Sequence, residues 1–163
     1  DVVELQEFLG MKQVDGIYGS RTRKAHVKYL GGAEAVLADW HPDLPTRFHD
    51  DKKTLRELVD IYWLDDHSEW ALRVAFCESS AMPDDTHNDA VSDALAVGAF
   101  QHLAKYWSFR SERAGMAGFS PFDLEANVAT AADLFYNGGG SKHWSPSKKC
   151  WDQSGLAVTE RRG

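Results

Sequence analysis

The segment Ala75-Phe76-Cys77-Glu78-Ser79-Ser80 holds the carboxylate most suggestive of chemistry in this chain. Helical spacing upstream predicts that Glu78 stands at the C-terminal end of a helix, flanked by Phe76 and Cys77. Two effects favour its neutral form there. The helix C-terminus carries negative partial charge, and apolar burial penalises a carboxylate. A carboxylic acid that keeps its proton near neutral pH can act as a general acid, which is what glycosidic cleavage requires. Taken alone, a glutamate at a helix end is more often a solvated surface group. A second carboxylate for such chemistry could come from Asp84, Asp85, Asp89 or Asp93, all in the segment that follows.

The two cysteines, Cys77 and Cys150, offer a rival chemistry. Cys77 as a thiolate nucleophile, with His87, His102 or His143 as base, would make a peptidase or amidase. That reading needs a free thiol. His87 lies among Asp84, Asp85 and Asp89, but neither a His-Glu-x-x-His nor an EF-hand pattern is present. The loop reads as a solvated polar segment, and no metal or other cofactor is expected.

The elements that must position these groups divide into two blocks. The chain has 163 residues, enough for one ordinary domain or two small ones. Its 43% hydrophobic and 26% charged content is that of a folded globular chain. No apolar run approaches the ~18 residues of a membrane span, so membrane insertion is not expected. A net charge of −7 argues against nucleic acid as a ligand, because phosphate binding needs dense Lys and Arg. The chain opens on Asp1, with no basic or apolar leader pattern after it.

The first block, 1–48, holds Val2, Leu5 and Leu9 at helical spacing, with Gly10 as a stop. Asp15-Gly16 and Gly19-Ser20 mark turns around Ile17 and Tyr18. Ser20 is the expected N-cap of a helix over 21–30, with Thr22, Ala25 and Tyr29 on one stripe. So short a block can build only a small helical bundle. A linker over 41–51 follows, containing Pro42 and Pro45.

The second block, 49–163, is mainly helical. Leu55, Leu58, Val59, Tyr62 and Trp63 form one stripe, and Asp66-x-x-Glu69 reads as a capping box. The helix it opens runs to about Ser80, with Trp70, Val74 and Cys77 on one face. A polar loop covers 82–89. A short strand or turn, then a helix, is expected over 98–107. Another helix covers 127–136, with Val128, Ala131, Ala132 and Phe135 inward, and Gly138-Gly139-Gly140 stops it.

The first block resembles the peptidoglycan-binding module of wall-lytic enzymes. The residues that carry this are Leu5-Gln6, Leu9-Gly10, Val14-Asp15-Gly16-Ile17-Tyr18-Gly19 and Thr22-Arg23-Lys24-Ala25. This family usually has another helix upstream, so the module is expected to be truncated or rearranged.

Over 68–151 the second block resembles the lysozyme-like domain of lytic transglycosylases. The ordered series is Glu78-Ser79, then Asn88-x-Ala90-Val91-Ser92-x-Ala94-x-Ala96-x-Gly98-Ala99-Phe100-Gln101. Asn127, Leu134-Phe135-Tyr136-Asn137 and Trp144-Ser145-Pro146-x-x-x-Cys150-Trp151 complete it. The cysteines and the Trp144-Ser145 run are most similar to the actinobacterial branch that includes the resuscitation-promoting factors.

The resemblance implies a lysozyme-like α (α+β) domain and a disulfide between Cys77 and Cys150. Such a bridge would contribute about 4 kcal/mol by the chain-entropy argument. It makes Glu78 the general acid, and Ser92, Gln101, Tyr136 and Asn137 candidate hydrogen-bonding partners for substrate. Trp107 and Trp144 are candidate sugar-stacking groups. The implied ligand is bacterial peptidoglycan, cut between MurNAc and GlcNAc. Attack by the MurNAc 6-hydroxyl would give a 1,6-anhydro end; attack by water would give hydrolysis. Ser92 stands where goose-type lysozymes carry a second acid, which favours the transglycosylase. Two departures are visible: Leu95 replaces a frequent glycine, and the loop through Met82-Pro83-Asp84-Asp85-Thr86 is longer. A phage lysin with virion partners, or a wall-remodelling enzyme outside the cell, fits this pairing of blocks, and compactness favours the phage setting. A wall-binding protein that has lost catalysis is the alternative from another class.

Overall fold

Short helices with local end signals account for most of the chain. The computed structural model describes residues 1–152. The last part of the second block, 153–163, lies outside the described residues. Within them are eight α-helices, one 3-10 helix and one two-stranded ribbon, so the chain is mainly helical.

Helix α1 (Val2–Phe8) opens on a capping box: Asp1 accepts from the Glu4 amide, and the Glu4 side chain reaches back to the Asp1 amine. Helix α2 (Ser20–Leu30) starts one residue earlier than expected, because Gly19 rather than Ser20 occupies the N-cap. Its buried face holds Thr22 and His26, while Tyr29 stays at the surface against Phe8. The reason lies in Gln6, which is buried and organises the turn before α2. Its amide donates to Asp15 Oδ1, the Ile17 carbonyl and Thr22 Oγ1, and its carbonyl oxygen accepts from the Asp15 and Gly16 amides. Thr22 therefore turns inward to a polar partner. Helix α3 (Ala33–Trp40) buries Val36 and Leu37.

Helix α4 (Leu55–Tyr62) is capped by a Thr54–Glu57 box. Helix α5 (Asp65–Ser79) is not opened by the expected Asp66–Glu69 box: Leu64 occupies the N-cap, and Glu69 instead pairs with Arg56 at 3.1 Å. Strands β1 (Ala96–Val97) and β2 (His102–Leu103) pair antiparallel, Ala96 with Leu103 and Val97 with His102. Helix α6 (Ala104–Arg113) follows. Helix α7 (Leu124–Asn137) starts before the expected Asn127, because Asp123 caps it by accepting from the Ala126 amide. A 3-10 helix (Gly140–Ser147) and α8 (Lys148–Trp151) close the described chain.

Helix α7 is buried on nearly all sides, from Leu124 to Leu134, and so runs through the centre. Around it Leu55, Leu58, Val59, Leu72, Val74, Phe100, Trp144 and Trp151 build the main core. The Cys77–Cys150 disulfide fastens α5 to α8 on its rim, with Cα atoms 5.8 Å apart.

A second apolar cluster joins Val36 and Leu37 of α3 to Leu95, Val97 and Ala104. The first block thus shares a core with the ribbon of the second. Leu95 has φ +59°, a left-handed backbone that suits glycine. That conformation costs a leucine roughly 1–2 kcal/mol. Burying the side chain returns roughly 1.5–3 kcal/mol, which accounts for a leucine at a glycine-like position.

Among the described residues no helix is long and apolar enough to cross a membrane.

Candidate active site

Glu78 is half-buried in the last turn of α5, one residue after the disulfide. Burial pushes its carboxyl pKa upward, and a hydrogen bond from Ser147 opposes part of that shift. Ser147 Oγ lies 2.7 Å from Glu78 Oε1 and 3.1 Å from the Trp144 carbonyl oxygen. A hydroxyl carries one proton, so it cannot donate to both at once. With Glu78 ionised, Ser147 donates to the carboxylate. With Glu78 protonated, the acid donates to Ser147 Oγ, and Ser147 turns its proton to Trp144. The pair therefore accommodates either protonation state without moving a heavy atom. Ser147 stands three residues before Cys150, so the disulfide that holds Cys77 also brings this hydroxyl to the carboxylate.

The neighbouring Ser79 ties the helix end to the ribbon. Its hydroxyl contacts the Ala75 and Ala99 carbonyls at 3.0 and 2.9 Å and accepts from Asn88 Nδ2 at 3.2 Å. The loop between β1 and β2 is held from its other side by Asn127. That side chain accepts from the Phe100 amide and donates to the Val97 and Pro121 carbonyls. The Phe100 carbonyl accepts from the Trp144 indole at 3.1 Å.

Ser92 and Gln101 belong to this same connected group, both half-buried. Ser92 Oγ accepts from the Ala96 amide, and Gln101 Nε2 donates to the Ala90 and Gly98 carbonyls. These bonds shape the loop, and the partial exposure leaves both side chains accessible to a ligand.

Four other expected site residues are placed elsewhere. Trp107 is 0% exposed, with its indole N–H on the Phe119 carbonyl. Trp144 is 2% exposed. Neither ring presents a face to a sugar: Trp107 fills a core from the inward face of α6, and Trp144 fills the main core from a kink in the 3-10 helix. Tyr136 Oη accepts from the Leu64 amide at 3.0 Å and meets His67 Nδ1 at 2.7 Å. Those partners mark the opening turn of α5, roughly 17 Å from Glu78 at 1.5 Å per residue. Asn137 donates to Asp133 on its own helix and is exposed beside Tyr136. The bonds of Ser79 thus tie the helix end that carries Glu78 to the loop that carries Gln101, whereas Tyr136 and Asn137 lie at the other end of α5.

The rival cysteine chemistry loses its nucleophile. Cys77 is disulfide-bonded and cannot be a thiolate nucleophile. Complete burial pushes His102 down to about 4, and its Nε2–H donates to the Asn127 carbonyl, so it is a neutral structural donor. Among the described residues no group of three or more His, Cys, Asp or Glu is placed to hold a metal ion. Asp85 folds back onto the Met82 amide. Asp89 lines a cavity of about 180 Å³ with His49, Asp123 and Glu125, and Glu78 is not part of that lining. In that cavity His49 contacts Asp123 at 2.7 Å and Glu125 at 3.2 Å and stacks on Phe119, which anchors the segment before α4 to the start of α7. Glu78, by contrast, has a neutral hydrogen-bond partner, Ser147.

Comparison of the chain with family models, curated proteins and solved structures finds no match.

Removing the Ser147 hydroxyl tests the proton arrangement. Ser147→Ala deletes a bond that favours the ionised carboxylate, so the pKa of Glu78 rises further. If Glu78 works as a proton donor, the alkaline limb of the pH–activity profile moves to higher pH. A shift to lower pH, measured by solubilisation of purified cell walls, contradicts the arrangement.

Proposed function

We propose that this chain is a peptidoglycan-cleaving glycosidase that cuts the MurNAc–GlcNAc β-1,4 bond, acting as a lytic transglycosylase. The observation that carries the reading is the half-buried Glu78, biased toward its protonated form and backed by a hydroxyl that serves both protonation states. In this mechanism Glu78 donates its proton to the bridging oxygen. The sugar left behind develops oxocarbenium character. The same carboxylate then takes a proton from the MurNAc 6-hydroxyl as that oxygen closes the 1,6-anhydro ring.

Transglycosylation needs one carboxylate, because the nucleophile belongs to the substrate. Hydrolysis with inversion needs a second one, roughly 6.5–9.5 Å away, to activate water. The position that would supply it in goose-type lysozymes is Ser92, whose hydroxyl accepts from the Ala96 amide. This favours the transglycosylase. In the same reading, 49–163 is a lysozyme-like catalytic domain and 1–48 a wall-binding module, in a phage lysin or an extracellular wall-remodelling enzyme.

Mass spectrometry of muropeptides released from purified sacculi tests it. The expected products end in 1,6-anhydro-MurNAc. Only ordinary reducing MurNAc ends would mean hydrolysis, and no release at all would leave a wall-binding protein.

A further inference from the structure

Trp40 is the exposed tryptophan of this chain, at 44%; Trp70 is half-buried and the other four are buried. It ends α3 and packs on Tyr18, with ring centroids 4.5 Å apart. Tyr18 is held by a 2.9 Å hydrogen bond to His26 Nδ1, and the Arg23 guanidinium lies 5.9 Å from its ring centre. Tyr18, Arg23 and Trp40 line one wall of a cavity of about 300 Å³. The opposite wall comes from the second block: Ala94, Leu103 and Lys105. Among the described residues no carboxylate lines this cavity, although the chain has a net charge of −7.

We propose that this seam is a saccharide subsite that takes a pyranose ring carrying a carboxylate. An exposed indole beside a tyrosine presents the flat, polarisable surface that the apolar face of a pyranose covers. Arg23 and Lys105, one from each block, supply charge for a carboxylate, Arg23 as a planar fork and Lys105 as a point charge. The seam adjoins the ribbon and the turns that flank its strands, which carry Ser92 and Gln101: Ala94 follows Ser92 by two residues, and Leu103 follows Gln101 by two. A glycan strand bound at the ribbon would thus reach Trp40 with a more distant sugar. This inference rests on the peptidoglycan reading for the identity of that sugar, a MurNAc unit bearing its lactyl or stem-peptide carboxylates.

The test uses the full chain carrying Glu78→Gln, so that bound glycan is not consumed. Two probes are titrated: a GlcNAc-MurNAc-peptide muropeptide and uncharged chitotetraose. Because the other indoles are at least half-buried, shielding of tryptophan fluorescence from acrylamide reports on Trp40. Muropeptide is expected to shield it, and Trp40→Ala to weaken binding by about ten-fold. Trp40→Phe retains most affinity, which separates stacking from misfolding. Arg23→Gln with Lys105→Gln is expected to weaken muropeptide and leave chitotetraose unchanged. Equal binding by Trp40→Ala and its parent overturns the subsite, as does absence of binding by the parent. Equal effects of the charge pair on both probes overturn the carboxylate part. Sacculus cleavage by the unmodified chain is measured alongside. Anhydro products with an indifferent Trp40 sink the seam alone; Trp40-dependent binding without cleavage sinks the catalytic reading alone.

Discussion

Glu78→Gln is expected to lower wall-lytic activity by roughly 10²–10⁴-fold while leaving the chain folded. The substitution is nearly isosteric. A glutamine amide can donate to Ser147 Oγ, and Ser147 can then donate to the Trp144 carbonyl, the pattern available to protonated Glu78. What glutamine cannot do is release a proton to the leaving oxygen. Full activity in a variant with unchanged circular dichroism would remove Glu78 from the mechanism.

The same substitution carries a stability signature. Burial raises the pKa of Glu78 in the folded chain. Below the ordinary carboxylate range both folded and unfolded chains hold the proton, and Glu78 contributes nothing to the pH dependence. As pH rises, the unfolded chain releases its proton first, which favours unfolding until the folded-state pKa is passed. Glu78 therefore costs stability at neutral pH. Glu78→Gln removes that cost, so denaturant unfolding at pH 7 is expected to find the variant at least as stable as its parent. The difference should close below about pH 3, where folded and unfolded chains both hold the proton. A variant clearly less stable at pH 7 would mean that the carboxylate is ionised and stabilised in the fold.

The position of Glu78 at a helix end was legible in the sequence because its context is local: a helical stripe that ends beside it. The helical class was legible for the same reason, since periodicity and glycine stops are written into neighbouring residues. The helix starts were less so. Asp66–Glu69 has the spacing of a capping box, but Glu69 found Arg56 thirteen residues upstream instead, a choice made by tertiary proximity. Ser147 was hidden because its partner is distant in sequence; the disulfide joining Cys77 to Cys150 was the clue that puts it beside Glu78. The tryptophans were not legible by residue type alone. Trp107 and Trp144 looked available for sugar and are buried. Trp40 follows the buried Val36 and Leu37 by four and three positions, which reads as core, yet it lies at the end of α3 where the packing runs out.

Asn127→Ala is expected to cost about 4 kcal/mol of stability and lower the Tm by about 10 °C. Asn127 is buried on the central helix and satisfies three backbone groups: the Phe100 amide and the Val97 and Pro121 carbonyls. Truncation leaves all three without their partner, at roughly 1–3 kcal/mol for each group that finds no water. Asn127→Asp separates hydrogen bonding from size. Aspartate keeps the volume and the acceptor for Phe100, but it turns an oxygen toward two carbonyls and buries a charge. It is therefore expected to be no better tolerated than alanine, and an Asp variant as stable as the parent would overturn this account. Gly98 adds an independent check. A Cβ there would lie 2.3 Å from Asn127 Nδ2 and 2.8 Å from the Pro121 carbonyl oxygen, and φ is +77°. Gly98→Ala should thus destabilise by displacing the same amide. Removing the amide relieves the closest of these contacts, so Gly98→Ala with Asn127→Ala is expected to cost less than the sum of the two. Thermal unfolding of the four chains measures that coupling. The consequence for function follows from connectivity. Asn127 holds one side of the loop whose Ala99 carbonyl contacts Ser79, so losing it loosens the attachment of the helix end that carries Glu78, and activity should fall at temperatures where the variant is still folded.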